Sequence, residues 1–214
     1  MSGNFCRRGF LKFTALFVFT MGFSFSIHGE QPNSAIPASV RIQLNEADKN
    51  FTFEGQPINP LGIKLLQPWI SDGLPGTASI YLEGTAKNTN QFTTNSIQNN
   101  NGVISVDFKK DDPSTGYFSY RHLGVLANGS HVLEIWEGGG GSGIWTDLLL
   151  VKFSADPEYQ EDGSVKYRLV LTRTGAFDLG DRFDGSLMVQ PHKIIIAEES
   201  NFHHDPHGRT INFK

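Results

Sequence analysis

The chain has 214 residues, with 18 Lys and Arg, 22 Asp and Glu, and a formal net charge of −4. An acidic chain gains little from the release of phosphate counterions, so nucleic acid is not an expected partner. The single cysteine, Cys6, lies close to the start. A disulfide scaffold and a zinc–thiolate site are therefore excluded for the body of the chain.

The first 29 residues have the composition of an export signal. Arg7 and Arg8 give a positive start, and an uncharged, Phe-rich run of 15 residues extends from 13 to 27. Secretory signals combine a charged start with an apolar core of 7–15 residues and small residues at the cleavage site. We expect residues 1–29 to be cleaved, with an uncleaved anchor as the alternative. The mature protein would then be periplasmic or secreted.

The order Arg-Arg-Gly-Phe-Leu-Lys at positions 7–12 resembles the core motif of bacterial twin-arginine (Tat) signal peptides. This resemblance covers the signal alone, and it implies export of an already folded protein, in some cases with its cofactor inserted. Cys6 stands where that motif usually has Ser or Thr. The Phe-rich core is also compatible with the general secretory (Sec) route, which stays open.

The mature part, residues 30–214, is predicted to be one domain. Removal of residues 1–29 takes away three basic and no acidic residues, which leaves a net charge of −7. Cys6 leaves with the signal, so the domain must derive its stability from a core without disulfides. About 185 residues suffice for one such core and are too few for two. No transmembrane segment is expected after cleavage.

Apolar and polar residues alternate along much of the mature chain, a pattern typical of half-buried antiparallel strands. Segments of this kind are 40–44, 79–83, 103–108 and 165–171. More continuously apolar segments, expected to be strands buried on both faces, are 131–136, 145–153 and 193–197. No stretch after Glu30 shows a clear helical stripe, apart from a single helical turn allowed at 45–50.

Turn residues agree with a β fold. Asn128-Gly129 is predicted to close a hairpin, and Asp162-Gly163 and Asp184-Gly185 each precede a predicted strand. About ten strands at this spacing predict an all-β domain. We expect an antiparallel β-sandwich of jelly-roll type, with a closed β-barrel as the alternative. The Asn- and Thr-rich residues 85–102 are expected to form an exposed loop or a solvent-facing strand.

A candidate ligand platform flanks the Gly-rich segment 138–143. No Lys follows these glycines and the next segment is strand-like, so the pattern does not match a phosphate-binding loop. Trp136 and Trp145 flank the segment, and Asp147 follows two residues later. Exposed indoles stack on sugar rings while carboxylates bind hydroxyls. If the flanking strands pair, these three residues form a carbohydrate-binding platform; two core indoles are the alternative.

The C-terminal region contains a candidate site for a divalent metal. Imidazole and carboxylate are ligands that suit Zn, Cu, Ni or Fe. They cluster in a segment where Pro206 argues against a helix. The candidate ligands are His203, His204, Asp205 and His207. The alternative is an exposed polar loop.

A second metal candidate is a short acidic segment. Three carboxylates at i, i+3 and i+6, together with glycine, could surround Ca²⁺, which requires six to eight oxygen ligands. They are Asp178, Asp181 and Asp184. The spacing is not that of an EF-hand, and a structural turn is the alternative.

The sequence therefore favours an exported, non-catalytic binding protein, with a carbohydrate or a cell-envelope component as ligand. A Gly-x-Ser-x-Gly motif is absent from the sequence, and no carboxylate pair can be assigned to hydrolysis, so no catalytic residue is predicted. Two alternatives stay open. One is a small metal-dependent enzyme that uses the C-terminal cluster, and the other is a structural or assembly protein of the envelope.

Overall fold

The computed structural model describes residues 36–68, 77–86, 96–109, 115–197 and 208–214. From Ile36 onward these residues belong to one compact unit. The predicted signal at 1–29 and the C-terminal cluster at 203–207 lie outside the described residues. Within the described parts, no helix is both long and apolar enough to cross a membrane.

Three helices and twelve strands are described. They are α1 (Ala38–Asn50), β1 (Thr52–Phe53), β2 (Gln56–Pro57), α2 (Pro60–Leu65), β3 (Ser79–Tyr81), α3 (Leu82–Ala86), β4 (Gln98–Asn100), β5 (Val103–Lys109), β6 (Thr115–Val125), β7 (His131–Gly138), β8 (Ile144–Tyr159), β9 (Val165–Asp181), β10 (Ser186–Gln190), β11 (Lys193–Ala197) and β12 (Arg209–Asn212).

Seven strands form the main sheet, in the order β3-β9-β8-β7-β6-β5-β4. Every pairing in it is antiparallel, which confirms the predicted antiparallel β architecture. From β4 to β9 each strand pairs with its successor in the chain, and β3 joins at the far edge. The described strands do not close into a barrel, and their meander order differs from the Greek-key order of a jelly roll.

The predicted hairpin at Asn128-Gly129 and the predicted turn at Asp162-Gly163 are both confirmed. Asn128-Gly129 connects β6 to β7, and Asp162-Gly163 connects β8 to β9. Both glycines have positive φ, 80° and 82°, which a residue with a Cβ rarely adopts. The side chain of Asp162 accepts a hydrogen bond from the backbone N–H of Ser164, at 2.9 Å. In the other turn, the side chain of Asn128 accepts the equivalent bond from the backbone N–H of Ser130, at 3.0 Å, so local bonds stabilise both turns.

The predicted strand at 40–44 is wrong, because these residues lie inside α1. The alternation of apolar and polar residues there conceals a longer helical spacing of four, three and four residues, which places one stripe of side chains on one helix face. Ile42 points away from that stripe and is 58% exposed. The stripe that packs against the core consists of Val40, Leu44, Ala47 and Phe51.

The main sheet buries a different cluster on each face. On the helix-side face, Leu133 and Leu149 belong to a core shared with Ile63 of α2. On the sheet-side face, Leu148 belongs to a core shared with Ile194 of β11, in the three-stranded sheet β10-β11-β12. Full burial of one such aliphatic side chain contributes roughly 1.5–3 kcal/mol. Burial on both faces is confirmed for β7 and the middle of β8, whereas β11 alternates.

Candidate functional site

The pairing of β7 with β8 fixes where the three platform residues point. Trp136 lies opposite Thr146, and Glu137 lies opposite Trp145. Successive side chains of a strand point to opposite faces. Trp145 and Asp147 therefore lie on the helix-side face, while Trp136 lies on the sheet-side face. The two indoles share one end of the sheet, as predicted from pairing across the glycines, but they do not form one stacking surface.

The ring of Trp136 packs against a charged pair of side chains. The guanidinium of Arg121 lies 5.6 Å from its ring, and the same guanidinium donates to Glu134 at 2.6 Å. Burial raises the pKa of Glu134, and the hydrogen bond and charge of Arg121 lower it. These contacts give Trp136 a packing role on the sheet-side face.

Trp145 stands at the edge of an acidic group that we call the carboxylate end. Its indole is 55% exposed although it belongs to a strand in the middle of the sheet. Asp178 of β9 lies directly opposite Asp147 in the register. The carboxylate end comprises Trp145, Asp147, Glu137 and Asp178, on three adjacent strands.

Lys64 of α2 and Gln67, in the turn after that helix, hold the carboxylates of this end. Gln67 donates from Nε2 to Oδ2 of Asp147 at 2.9 Å, and Lys64 forms an ion pair with Glu137. Burial raises the pKa of Asp147, the Gln67 hydrogen bond lowers it, and the nearby charges of Asp178 and Glu137 raise it further. Asp147 is therefore a half-buried carboxyl with a fixed orientation and an elevated proton affinity.

Two acceptor atoms next to these contacts have no hydrogen-bond partner among the described residues. They are Oε1 of Gln67 and Oε2 of Glu137, both buried. A buried polar atom without a partner costs about 1–3 kcal/mol. The carboxylate end thus contains more acceptors than the described donors satisfy.

Two of the three aspartates of the predicted calcium site make separate local contacts. Oδ1 of Asp178 accepts from the backbone N–H of Gly180 at 2.7 Å, and Oδ1 of Asp181 accepts from Ile144 at 2.8 Å. Asp184 is exposed. Across the described ranges, no three His, Cys, Asp or Glu side chains converge as metal ligands. The other predicted metal ligands, at 203–207, lie outside those ranges.

A second polar site, which the sequence reasoning missed, lies at the opposite end of the helix-side face. His131, the first residue of β7, is completely buried. Its Nε2 lies 2.9 Å from Oδ1 of Asp48 in α1, and its Nδ1 lies 3.1 Å from Nε2 of His122 in β6. A β-bulge between His122 and Gly124 changes the register of β6 there. Asp48, His122, His131 and Phe51 are called the histidine cluster below.

Phe51 closes the histidine cluster from the helix side. Its ring stacks on His122 with centroids 4.9 Å apart and planes 12° apart, and it also contacts His131 at 5.2 Å. To place the ring there, Phe51 ends α1 in the left-handed conformation, with φ 51°. A non-glycine residue in that region is strained by roughly 1–3 kcal/mol. Burial of the ring offsets this strain.

A cavity of about 250 Å³ adjoins the cluster at His122. Burial, and to a smaller extent the neighbouring His131, lower the pKa of His122 to about 4, so the ring is neutral at physiological pH. The phenol of Tyr120 donates to the carbonyl of Ile58 at 2.8 Å. The lining carries no charged side chain and includes Asn50, Phe51, Thr52, Asn99, Tyr120 and His122.

One feature of the sequence does point to this cluster. His122 and His131 flank the Asn128-Gly129 turn, so the predicted hairpin alone brings the two imidazoles to neighbouring strands. Asp48 is 83 residues from His131, and no local pattern links the two. No protein-family model matches the chain, and neither curated proteins nor solved structures include a significant match to it.

Proposed function

We propose that this chain is an exported, non-catalytic carbohydrate-binding protein whose ligand site is the carboxylate end. The observation that carries the proposal is the exposed indole of Trp145 beside Asp147 on one face of a central strand. Neither side chain is needed to fill the core of the sheet. A large exposed aromatic next to a fixed carboxylate is the minimal set of groups for holding a sugar ring.

The spacing of these two residues suits a monosaccharide unit. Residues i and i+2 of a strand are about 7 Å apart on the same face. A pyranose ring stacked on Trp145 would therefore direct its hydroxyls toward Asp147 and, across the register, toward Asp178. Ionised carboxylates only accept hydrogen bonds, and sugar hydroxyls donate them. Gln67 keeps Asp147 oriented before any ligand arrives.

The charge of the site favours a neutral polyhydroxylated ligand over an acidic polymer. Three carboxylates lie at this end, and Lys64 pairs with Glu137. A polyanion would therefore meet a surface of its own sign. Among envelope and extracellular components, an uncharged glycan fits best.

Export is the second part of the proposal. Its support is the arginine pair and the apolar run at 7–27, which would bring a folded β domain to the compartment where such glycans occur. A β-sandwich scaffold, with the three-stranded sheet against the sheet-side face, belongs to the same proposal. The test is Arg7→Lys combined with Arg8→Lys. Loss of export supports the Tat route, and unimpaired export assigns the chain to Sec.

The binding test is a glycan array probed with the purified chain and two tryptophan variants. Trp145→Ala is expected to reduce binding tenfold or more, which corresponds to about 1.4 kcal/mol. Trp136→Ala is the matched control, because it removes an indole at the same end of the sheet but on the other face. Equal binding by both variants, or failure of the wild type to bind any neutral glycan, would overturn the proposal.

A further inference from the structure

The carboxylate end presents hydrogen-bond acceptors to a ligand on two adjacent strands. Asp147 of β8 and Asp178 of β9 lie opposite each other in the register, and Trp145 lies two residues from Asp147 on the same face. An ionised carboxylate accepts hydrogen bonds and donates none. A ligand stacked on Trp145 therefore meets acceptor atoms at both positions.

The side-chain donors around these carboxylates are bound to atoms of the protein. Because a carboxylate only accepts, the amide of Gln67 turns its Nε2 toward Asp147. The guanidinium of Arg182, which follows β9, donates to the carbonyl of Ser142. The indole N–H of Trp145 lies in the plane of its ring, so a sugar stacked on the ring face does not accept from it.

Lys64 is held away from the exposed indole. Its ammonium forms the ion pair with Glu137 of β7 and lies 5.2 Å from the ring of Phe108 in β5 and 5.8 Å from that of Phe118 in β6. Because β7 separates β6 from β8 in the sheet, this cation lies on the other side of Glu137 from Trp145. The lysine therefore neutralises Glu137 without presenting a donor to a ligand on the indole.

Two buried acceptors indicate that no donor is left over at this end. Gln67 is 8% exposed, and its Oε1 has no hydrogen-bond partner among the described residues; the same holds for Oε2 of Glu137. A buried acceptor without a partner is unfavourable, so a spare donor within reach would be bound to one of these atoms. The described part of this end thus has an excess of acceptors over donors.

Given the carbohydrate-binding function proposed above, we infer that the carboxylate end selects sugar units with free hydroxyls and rejects units whose hydroxyls are acylated or O-methylated. A free hydroxyl donates a charge-assisted bond to Asp147 or Asp178. An ester or ether oxygen in its place only accepts, so the carboxylate loses its water without gaining a partner. Sites that bind a hydroxyl discriminate strongly against analogues that lack it. The ligand class is therefore an unsubstituted neutral hexose unit.

The experiment compares the methyl glycosides of glucose, galactose and mannose with their monodeoxyfluoro analogues, in NMR titrations of the full chain at neutral pH. Fluorine is close to a hydroxyl in size and keeps the polarity of the bond to carbon, but it cannot donate. For the hexose that binds, we expect at least one analogue to lose affinity about tenfold or more, because a hydrogen bond to a charged acceptor disappears.

Two variants identify the carboxylate that accepts each hydroxyl. Asp147→Asn and Asp178→Asn each replace a charged acceptor by an amide that also donates. Each variant should reduce the loss for one fluorinated analogue several-fold and leave the loss for the others as in wild type. Asp156→Asn is the control, since this exposed aspartate of β8 lies about 30 Å from Asp147 along the strand, and it should keep the wild-type pattern.

Two results would contradict donor selection, and they can be told apart. One is a wild-type chain that binds a hexose through Trp145 but loses less than about twofold for every fluorinated analogue. The carbohydrate function would then stand without this selectivity. The other is that no hexose binds, or that Trp145→Ala leaves the affinity unchanged. The proposed function would then fail, and the selectivity with it.

Discussion

The helix-side face of β7 carries a different polar site at each of its ends. His131 begins the strand with no exposure, and Glu137 lies about 20 Å further on, with Leu133 and Ile135 buried between them. At the histidine end, α1 and Phe51 cover the strand, whereas at the carboxylate end Trp145 stays exposed. Strand alternation brings side chains to the same face, but the covering elements decide whether that face holds buried imidazoles or accessible carboxylates.

The largest loss of stability is expected when the aromatic ring that covers the histidine cluster is removed. Phe51→Ala removes a buried aromatic ring that contacts both imidazoles, so we expect a loss of about 3–5 kcal/mol in the free energy of unfolding. Urea denaturation measures it. Ile42→Ala, on the exposed side of the same helix, should change stability by less than about 0.5 kcal/mol. Similar costs for the two variants would contradict closure of this end by Phe51.

A smaller effect is expected at the cavity wall of the same end. Tyr120→Phe removes the hydroxyl that donates to the buried carbonyl of Ile58, so unfolding should become easier by about 1–3 kcal/mol. Burial raises the pKa of Tyr120, which keeps the hydroxyl protonated as a donor. Tyr159→Phe, at a residue 77% exposed, is the matched control for the thermal melts. A Tyr120→Phe variant as stable as wild type would refute this hydrogen bond's role.

At the carboxylate end, the expected effect depends on pH. The raised pKa of Asp147 means that the folded state holds this proton more tightly than the unfolded chain does. Stability is therefore lost as pH rises from the unfolded value, 3.8, through the folded pKa. Asp147→Asn should be more stable than wild type at neutral pH, and this advantage should vanish below 3.8. Melting temperatures across this range test it, and a pH-independent difference would contradict it.

The smallest stability effect is predicted for the exposed indole. Trp145→Ala should change the free energy of unfolding by less than about 0.5 kcal/mol, because the side chain is mostly solvated. Trp136→Ala should cost more, since its ring contacts Arg121, and a cation–π contact of this kind contributes about 0.5–1 kcal/mol. Chemical denaturation of both variants measures the difference. The reverse order would show that Trp145 is a core residue.

Local patterns predicted the two turns well but failed at α1. Asn128-Gly129 and Asp162-Gly163 specify their turns through bonds within a few residues, so short windows of sequence suffice. Residues 40–44 fit a strand as well as a helix over five positions. Only the longer apolar spacing, which extends to Ala47 and Phe51, distinguishes a helix from a strand here. The burial of this apolar stripe depends on packing against a sheet formed by residues later in the chain.

The carboxylate end and the histidine cluster also differ in how far local sequence patterns predict them. Trp145 and Asp147 were identified because they are neighbours in one strand, and the separation of Trp136 from them required the strand register. The histidine cluster combines a hairpin with Asp48, 83 residues from His131. These two residues come into contact because α1 packs on the main sheet, and no local sequence pattern predicts that packing. The acidic spacing of Asp178 and Asp181 suggested one ion site, yet each carboxylate binds a different backbone N–H.

The strand order of the main sheet also implies an order of assembly. From β4 to β9 each pairing joins consecutive strands, so each loop closes at low entropic cost. The edge strand β3 instead pairs Ser79 with Thr172, a separation of 93 residues. Contacts this distant form slowly. We expect a meander that forms early and an edge that docks last, so the last folding barrier lies where β3 meets β9.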